Sequence, residues 1–240
     1  MRRRFVPGVL DRSLARRRMS RRFRVIAIDG PAASGKSSTA QMVADKLGYL
    51  HVDSGSVYRA ATAAVLRRKV DAAKWDDRLV LDAASSVELR AARTSFYPVI
   101  EGKSAEDEIR GDEVTRNVSR VAQMPQVRDW VNVLVRAAAM ERDVVVDGRD
   151  MGTAVFPEAD LKIFLVADPS ERALRRLRQR GELTPSHHLV ATETGRITER
   201  DLRDSRQTFP AADAVVIDTT LLAQEEQVEQ IVSLARRPAS

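Results

Sequence analysis

The segment Gly30-Pro31-Ala32-Ala33-Ser34-Gly35-Lys36-Ser37 fits the pattern G-x-x-x-x-G-K-S and follows, after Asp29, the apolar run Val25-Ile26-Ala27-Ile28. A glycine-rich loop between a β-run and a helix is a phosphate cradle, because successive backbone N–H groups converge on one anion. The lysine then bridges the outer phosphates, and a hydroxyl in the position of Ser37 can ligate Mg²⁺. Ser38 to Leu47 reads as the helix that follows, its N-terminus adding partial positive charge at the same spot. Gly30, Pro31, Ala32, Ala33, Ser34, Gly35, Lys36, Ser37 and Ser38 are therefore the candidate contacts to a nucleoside triphosphate, with Mg²⁺ as its counter-ion.

At 240 residues and 43% hydrophobic content the chain suits one α/β domain carrying an insertion. No stretch approaches the roughly 18 apolar residues of a membrane span, and the N-terminus lacks the apolar core of a secretory signal. There are no cysteines and three histidines. That excludes a disulfide framework and a thiolate nucleophile, and it fits a reducing, cytoplasmic setting. The net charge of +6 is concentrated at one end: residues 1–22 hold nine arginines against the single acid Asp11, giving +8, while the rest carries −2. The basic balance belongs to an N-terminal extension, expected to be disordered, and predicts no specific nucleic-acid partner.

Five β-like runs, Arg24 to Ile28, Tyr49 to Val52, Asp143 to Asp147, Leu161 to Val166 and Ala214 to Asp218, alternate with helical segments. This alternation predicts a parallel five-stranded sheet between two helical layers, with ligands beyond the carboxyl ends of the strands. About ninety residues separate the second and third runs, far more than a crossover needs. Within them helices are expected over Asp53 to Lys69, Asp76 to Ser85, Gly111 to Val121 and Pro125 to Met140. A hairpin of Val87 to Arg93 and Phe96 to Lys103 is expected around Thr94-Ser95. Asp147 closes an apolar strand as a Walker-B acid does, within reach of a Mg²⁺ shell directly or through water. Arg149 and Asp150 follow it at the strand's carboxyl end, where charged groups are best explained by a site.

Together with the phosphate loop, the segments Asp53-Ser54-Gly55-Ser56-Val57-Tyr58-Arg59, Asp147-Gly148-Arg149-Asp150-Met151-Gly152-Thr153 and Arg200-Asp201-Leu202-Arg203-Asp204-Ser205 resemble the bacterial cytidylate kinases from about Arg24 onward. The resemblance implies a three-layer P-loop kinase fold within residues 23–240, with a monophosphate-binding insertion at about 54–128 and a mobile lid at about 172–195. It also implies ATP as phosphoryl donor, CMP and dCMP as acceptors, and a monomer. Ser54 and Arg59 would hold the acceptor phosphate, Tyr58 would line the substrate site, Arg200 would contact phosphate, and Asp204 would accept from a ribose hydroxyl. Lys36, Arg149, Arg200 and Arg176 would stabilise the transferred group, while Asp147 and Arg149 would border the acceptor.

Phosphoryl transfer onto an existing phosphate needs no dedicated base; it needs two polyanions in line and positive charge at the moving group. In the base pocket a carboxylate from Asp150 and donors from Arg128 and Ser119 would match cytosine, whose N4 amino group lies beside the N3 and O2 acceptors. Uracil, with O4 in place of N4, would meet that carboxylate unfavourably. Arg172, Arg175, Arg176, Arg178 and Arg180 follow the fourth strand as a lid helix, and either Arg176 or Arg172 is expected to reach the donor phosphates. Gly181 to Gly195 shows little regular pattern. The family's D-S-x-R is broken here as Asp204-Ser205-Arg206-Gln207, which displaces the arginine expected at the base to Arg206. The competing expectations are a P-loop kinase for UMP or a small hydroxylated metabolite, and a non-catalytic nucleotide-binding module; no guanine-reading N-K-x-D stretch occurs.

Overall fold

The computed structural model describes residues 23–237, and the arginine-rich extension, residues 1–22, lies outside them. Each expected β-run forms a strand: β1 Val25–Asp29, β2 Leu50–Asp53, β6 Val144–Gly148, β7 Leu161–Val166 and β8 Val215–Asp218. They pair entirely in parallel in the order β2-β6-β1-β7-β8. Strand alternation sorts their side chains into two cores. Ala27, Val52, Val144 and Val146 face one helical layer, and Ile26, Ile28, Val145, Ile163 and Leu165 face the other.

The second layer is built from α1 (Lys36–Leu47) and α8 (Gln224–Arg236), whose Ala40, Val43, Val228 and Ile231 are fully buried. The first uses α2 (Ser54–Arg67) and α5 (Pro125–Ala139). Helix α2 starts where the Asp53 carboxylate accepts from the Ser56 N–H at 3.1 Å, an N-cap that fixes the chain's exit from β2. Pro125 opens α5 in the first turn, where its missing N–H costs nothing.

Between α2 and α5 lie α3 (Asp77–Ala84), the antiparallel strands β3 (Val87–Ala91), β4 (Phe96–Ile100) and β5 (Lys103–Ser104), and α4 (Asp112–Val121). The two-residue β5 extends the expected hairpin by a third strand. Its partner β4, which contains Pro98, is therefore the central strand of a three-stranded sheet.

Residues after β7 form two packed helices, α6 (Pro169–Gln179) and α7 (His187–Asp204). Helix α7 corrects the expectation of irregular chain up to Gly195. It starts at Ser186, whose hydroxyl accepts from the Leu189 N–H at 3.3 Å. It buries Ile197 and, unusually, Glu193. A charged residue on the buried face breaks the apolar periodicity that would mark the helix. No helix among the described residues is long and apolar enough to cross a membrane.

Candidate active site

The sheet register lines up Asp29 with Gly148 and Asp53 with Asp147 at the carboxyl ends of three neighbouring strands. Gly30 follows with φ 150°, and a Cβ there would collide with the Leu165 carbonyl, so only glycine lets the loop leave β1 this closely against β7. The loop ends in the first turn of α1. Lys36 is buried to 6% exposure, its Nζ donating to the Pro31 carbonyl at 2.5 Å and to Ser34 Oγ at 3.3 Å. Burial, then the neighbouring Arg149 charge, push its ammonium well below the usual lysine range. Ser37 Oγ donates to Asp147 Oδ2 at 2.6 Å. Ser38 is exposed and turns its hydroxyl to the Gly35 carbonyl at 3.0 Å.

Asp147 is held from its other side by His51 of β2, Nε2 to Oδ1 at 2.6 Å, and His51 Nδ1 lies 3.1 Å from Gln41 Oε1. Burial alone would lower this imidazole, yet the hydrogen bond and charge of Asp147 hold it above its ordinary value. The Asp147 side chain therefore faces the phosphate loop. Its backbone carbonyl accepts from Ser54 Oγ at 2.7 Å, but its carboxylate does not border the neighbouring cleft as the sequence led one to expect.

Asp29, at the end of β1, accepts from the N–H groups of Met151 at 2.8 Å and Gly152 at 2.7 Å. This pins the five-residue π-helical turn Met151–Val155 that follows Asp150. Burial raises the Asp29 carboxyl from 3.8 to about 6 against the pull of those two donors. The folded chain therefore binds this proton more tightly than the unfolded chain does. The resulting stability is fully present below the unfolded value and is lost as pH rises through about 6. Relative to Asp29→Asn, the wild-type protein should lose on the order of 2–3 kcal/mol between pH 4 and pH 7. Denaturant unfolding at the two pH values measures the difference, and a flat difference contradicts the assignment.

Beside the loop, a cleft is lined by Ser54, Tyr58, Arg59, Ser119, Arg128, Arg149, Asp150, Arg200 and Asp204. Those residues come from α2, α4, α5, the β6 loop and α7, so the fold brings together almost every acceptor contact expected from the sequence. At its base end Arg128 Nη2 pairs with Asp150 Oδ2, while Arg128 Nη1 donates to the Ala122 carbonyl at 3.1 Å and to Gln207 Oε1 at 2.7 Å. Burial raises the Asp150 carboxyl, with Arg128 opposing.

At the other end positive charge accumulates. Burial, then Arg149, push the Arg200 guanidinium down to about 9, with Arg59 and Arg176 adding to the effect. Burial likewise lowers Arg59 and Arg176. The shared carboxylate Asp204 lies 3.4 Å from Arg149 Nε and 3.6 Å from Arg200 Nε, too few negative charges for the arginines present. Arg200 Nε is buried without a hydrogen-bond partner. A concave site with this surplus is complementary to phosphate oxygens.

The two lid arginines separate here. Arg172, 4% exposed, donates to the Ala167 and Ala32 carbonyls at 3.0 and 2.8 Å and pairs with Asp201 at 2.6 Å; Asp201 also accepts from the Ala32 N–H at 3.0 Å. It ties the lid to the phosphate loop. Arg176 instead joins the charge cluster, its Nε 3.1 Å from buried Glu193, which also pairs with Arg180 and Arg196.

Arg206 is exposed and does not line the cleft; Gln207 does. The last turn explains the correction. The Gln207 N–H bonds the Asp204 carbonyl at 3.0 Å, so helical spacing carries past the end of α7 and places Arg200, Asp204 and Gln207 on one face. That i, i+4, i+7 series was the sequence signal for Gln207. Asp201 and Glu193 offered no such signal, being single charges in charge-rich helices. His51 offered none either, as an isolated polar residue on a short strand.

The comparisons with known proteins agree with this geometry. The chain is 44% identical over 216 residues to a cytidylate kinase of Geobacillus kaustophilus, covering 87% of this chain and 95% of that one. It is 41% identical over 219 residues to a cytidylate kinase of Pelotomaculum thermopropionicum, covering 88% and 95%. A third, from Chlorobaculum tepidum, is 36% identical over 223 residues, covering 89% and 93%. The profile described as Cytidylate kinase matches residues 26–237, nearly all of the described structure, and the chain therefore belongs to the cytidylate kinase family.

Proposed function

We propose that the protein transfers the γ-phosphoryl group of ATP to CMP or dCMP, giving ADP and CDP or dCDP. The observation that carries this reading is the adjacency of two anion sites: Lys36 of the loop lies close enough to Arg149 and Arg200 for their charges to act on it, and those two arginines line the cleft together with Arg59. Two nucleotides bound there meet end to end, phosphate to phosphate.

The loop's N–H groups and Lys36 hold the donor's outer phosphates. Ser54 and Arg59 hold the acceptor phosphate, and Arg59 is itself anchored by the Ile109 carbonyl and Thr115 Oγ1, each at 3.0 Å. Because the acceptor oxygen is already anionic, no proton has to be removed. Arg149, Arg176 and Arg200 supply the charge that the transition state needs, and the depressed basicity of Arg176 and Arg200 without substrate is relieved when phosphate oxygens arrive. The oxygens of Ser37 and Asp147, 2.6 Å apart, suit a hard cation that draws its remaining ligands from phosphate and water. Mg²⁺ bound there would neutralise charge on the donor phosphates. Closure of α6 and α7 excludes water and suppresses hydrolysis.

The roles of the two lid arginines are separable. Arg176→Ala should lower kcat by about 10²-fold with little change in Tm. Arg172→Ala should chiefly destabilise the fold, by about 2 kcal/mol, since it removes the guanidinium shared by Asp201 and two carbonyls and leaves Asp201 only the Ala32 N–H. Parallel turnover and melting measurements distinguish them; the opposite pattern would reverse the assignment.

The function itself is tested by coupled ADP release with Mg·ATP and a panel of CMP, dCMP, UMP, AMP, GMP, shikimate and sugar acids. Release is expected with CMP and dCMP above all others. Release with a non-nucleotide alone, or with no acceptor present, would overturn the reading.

A further inference from the structure

We infer that Gln207 is a base-contacting residue that donates its amide N–H to the O2 carbonyl of the pyrimidine. The inference rests on the cytidine monophosphate reading above and follows from hydrogen-bond accounting around Arg128.

Arg128 Nη1 has two hydrogens, and both are engaged, one by the Ala122 carbonyl and one by Gln207 Oε1. Nη2 gives one hydrogen to Asp150 and keeps a second for a ligand. Because an arginine offers only donors, the oxygen of the Gln207 amide must be the atom that faces it, which fixes the amide orientation. The Gln207 Nε2 group is then directed away from Arg128, and it has no hydrogen-bond partner among the described residues. Gln207 lines the same cleft as Asp150 and Arg128.

Asp150, Arg128 and Gln207 thus form one hydrogen-bonded row that offers, in order, an acceptor, a donor and a donor. The Watson–Crick edge of cytosine runs N4–H donor, N3 acceptor, O2 acceptor, and is complementary at all three positions. Uracil runs acceptor, donor, acceptor and matches only at O2. The row does what a guanine edge does, built from three side chains on the β6 loop, α5 and the turn after α7. Ser119 also lines the cleft but has no hydrogen bond to this row among the described residues, and the proposal gives the O2 contact to Gln207.

The test is steady-state kinetics of Gln207→Leu and Gln207→Glu with CMP, dCMP and UMP as acceptors. Gln207→Leu should raise the KM for CMP and for dCMP by the same factor, about tenfold or more, with the KM for ATP within twofold of wild type. Gln207→Glu, which turns an acceptor toward O2, should be worse. Because Gln207 is half-exposed, both variants should melt close to wild type.

An unchanged KM for CMP would overturn the proposal. So would a loss confined to CMP with dCMP spared, which would place Gln207 at the ribose, or a loss seen in Ser119→Ala and absent from Gln207→Leu. If wild-type protein itself fails to phosphorylate CMP, it is the functional reading that falls.

Discussion

Lys36→Ala should abolish almost all turnover while leaving the protein as stable as before, or more so. Its ammonium is buried beside Arg149 and Arg200, whose charges oppose it, and only Asp147 and Asp29 favour it. Removing it relieves repulsion in the free protein. With substrates bound it is the group between the outer phosphates of the donor, where preorganised charge typically contributes a factor of about 10²–10³ in kcat for one donor alone. The prediction is a fall of at least that size in kcat with a Tm equal to or above wild type. Turnover and differential scanning calorimetry measure the two. A variant that keeps its activity would remove the phosphate loop from the mechanism, and one that unfolds would make Lys36 a structural residue. A stability gain opposed to an activity loss is the signature of a site strained for function.

Asp150→Ala should collapse discrimination between pyrimidines. The carboxylate is 5% exposed and paired with Arg128, so a base that presents an acceptor to it leaves two buried oxygens facing each other. Such mismatches in polar pockets discriminate by factors of about 10⁴. The kcat/KM for CMP should fall by about 10²–10³, and that for UMP by much less, so their ratio shrinks by at least about tenfold. Equal proportional losses for CMP and UMP would show that Asp150 does not read the base.

The inner strands of the sheet were legible in the sequence because they are buried on both faces, which makes them continuous apolar runs; Val144, Val145 and Val146 are all fully buried. The phosphate loop was legible because its glycines and lysine are dictated by anion geometry rather than by the rest of the chain. The first half of helix α7 was not, because Glu193 takes an inward position that an apolar residue would normally fill, stabilised there by Arg176, Arg180 and Arg196. The third strand of the small sheet was missed because two residues, Lys103 and Ser104, are both exposed and carry no alternation.

Within the site, single residues escaped for a different reason: their roles depend on partners distant in sequence. His51 meets Asp147 across 96 positions, and Arg172 meets the Ala32 carbonyl across 140. Neither spacing leaves a local trace. The sequence reading points to Arg206 because it matches the family's arginine by residue type. Matching by helical face follows Asp204 to Gln207, and the hydrogen bond from the Gln207 N–H to the Asp204 carbonyl shows which criterion the backbone obeys.

The most direct measurement follows the phosphorus itself. With ATP labelled at the γ position, Mg²⁺ and CMP, the label should appear in CDP in step with ADP formation and stay out of inorganic phosphate. Label found in inorganic phosphate alone, at a rate indifferent to CMP, would contradict a cleft that joins two nucleotides for transfer.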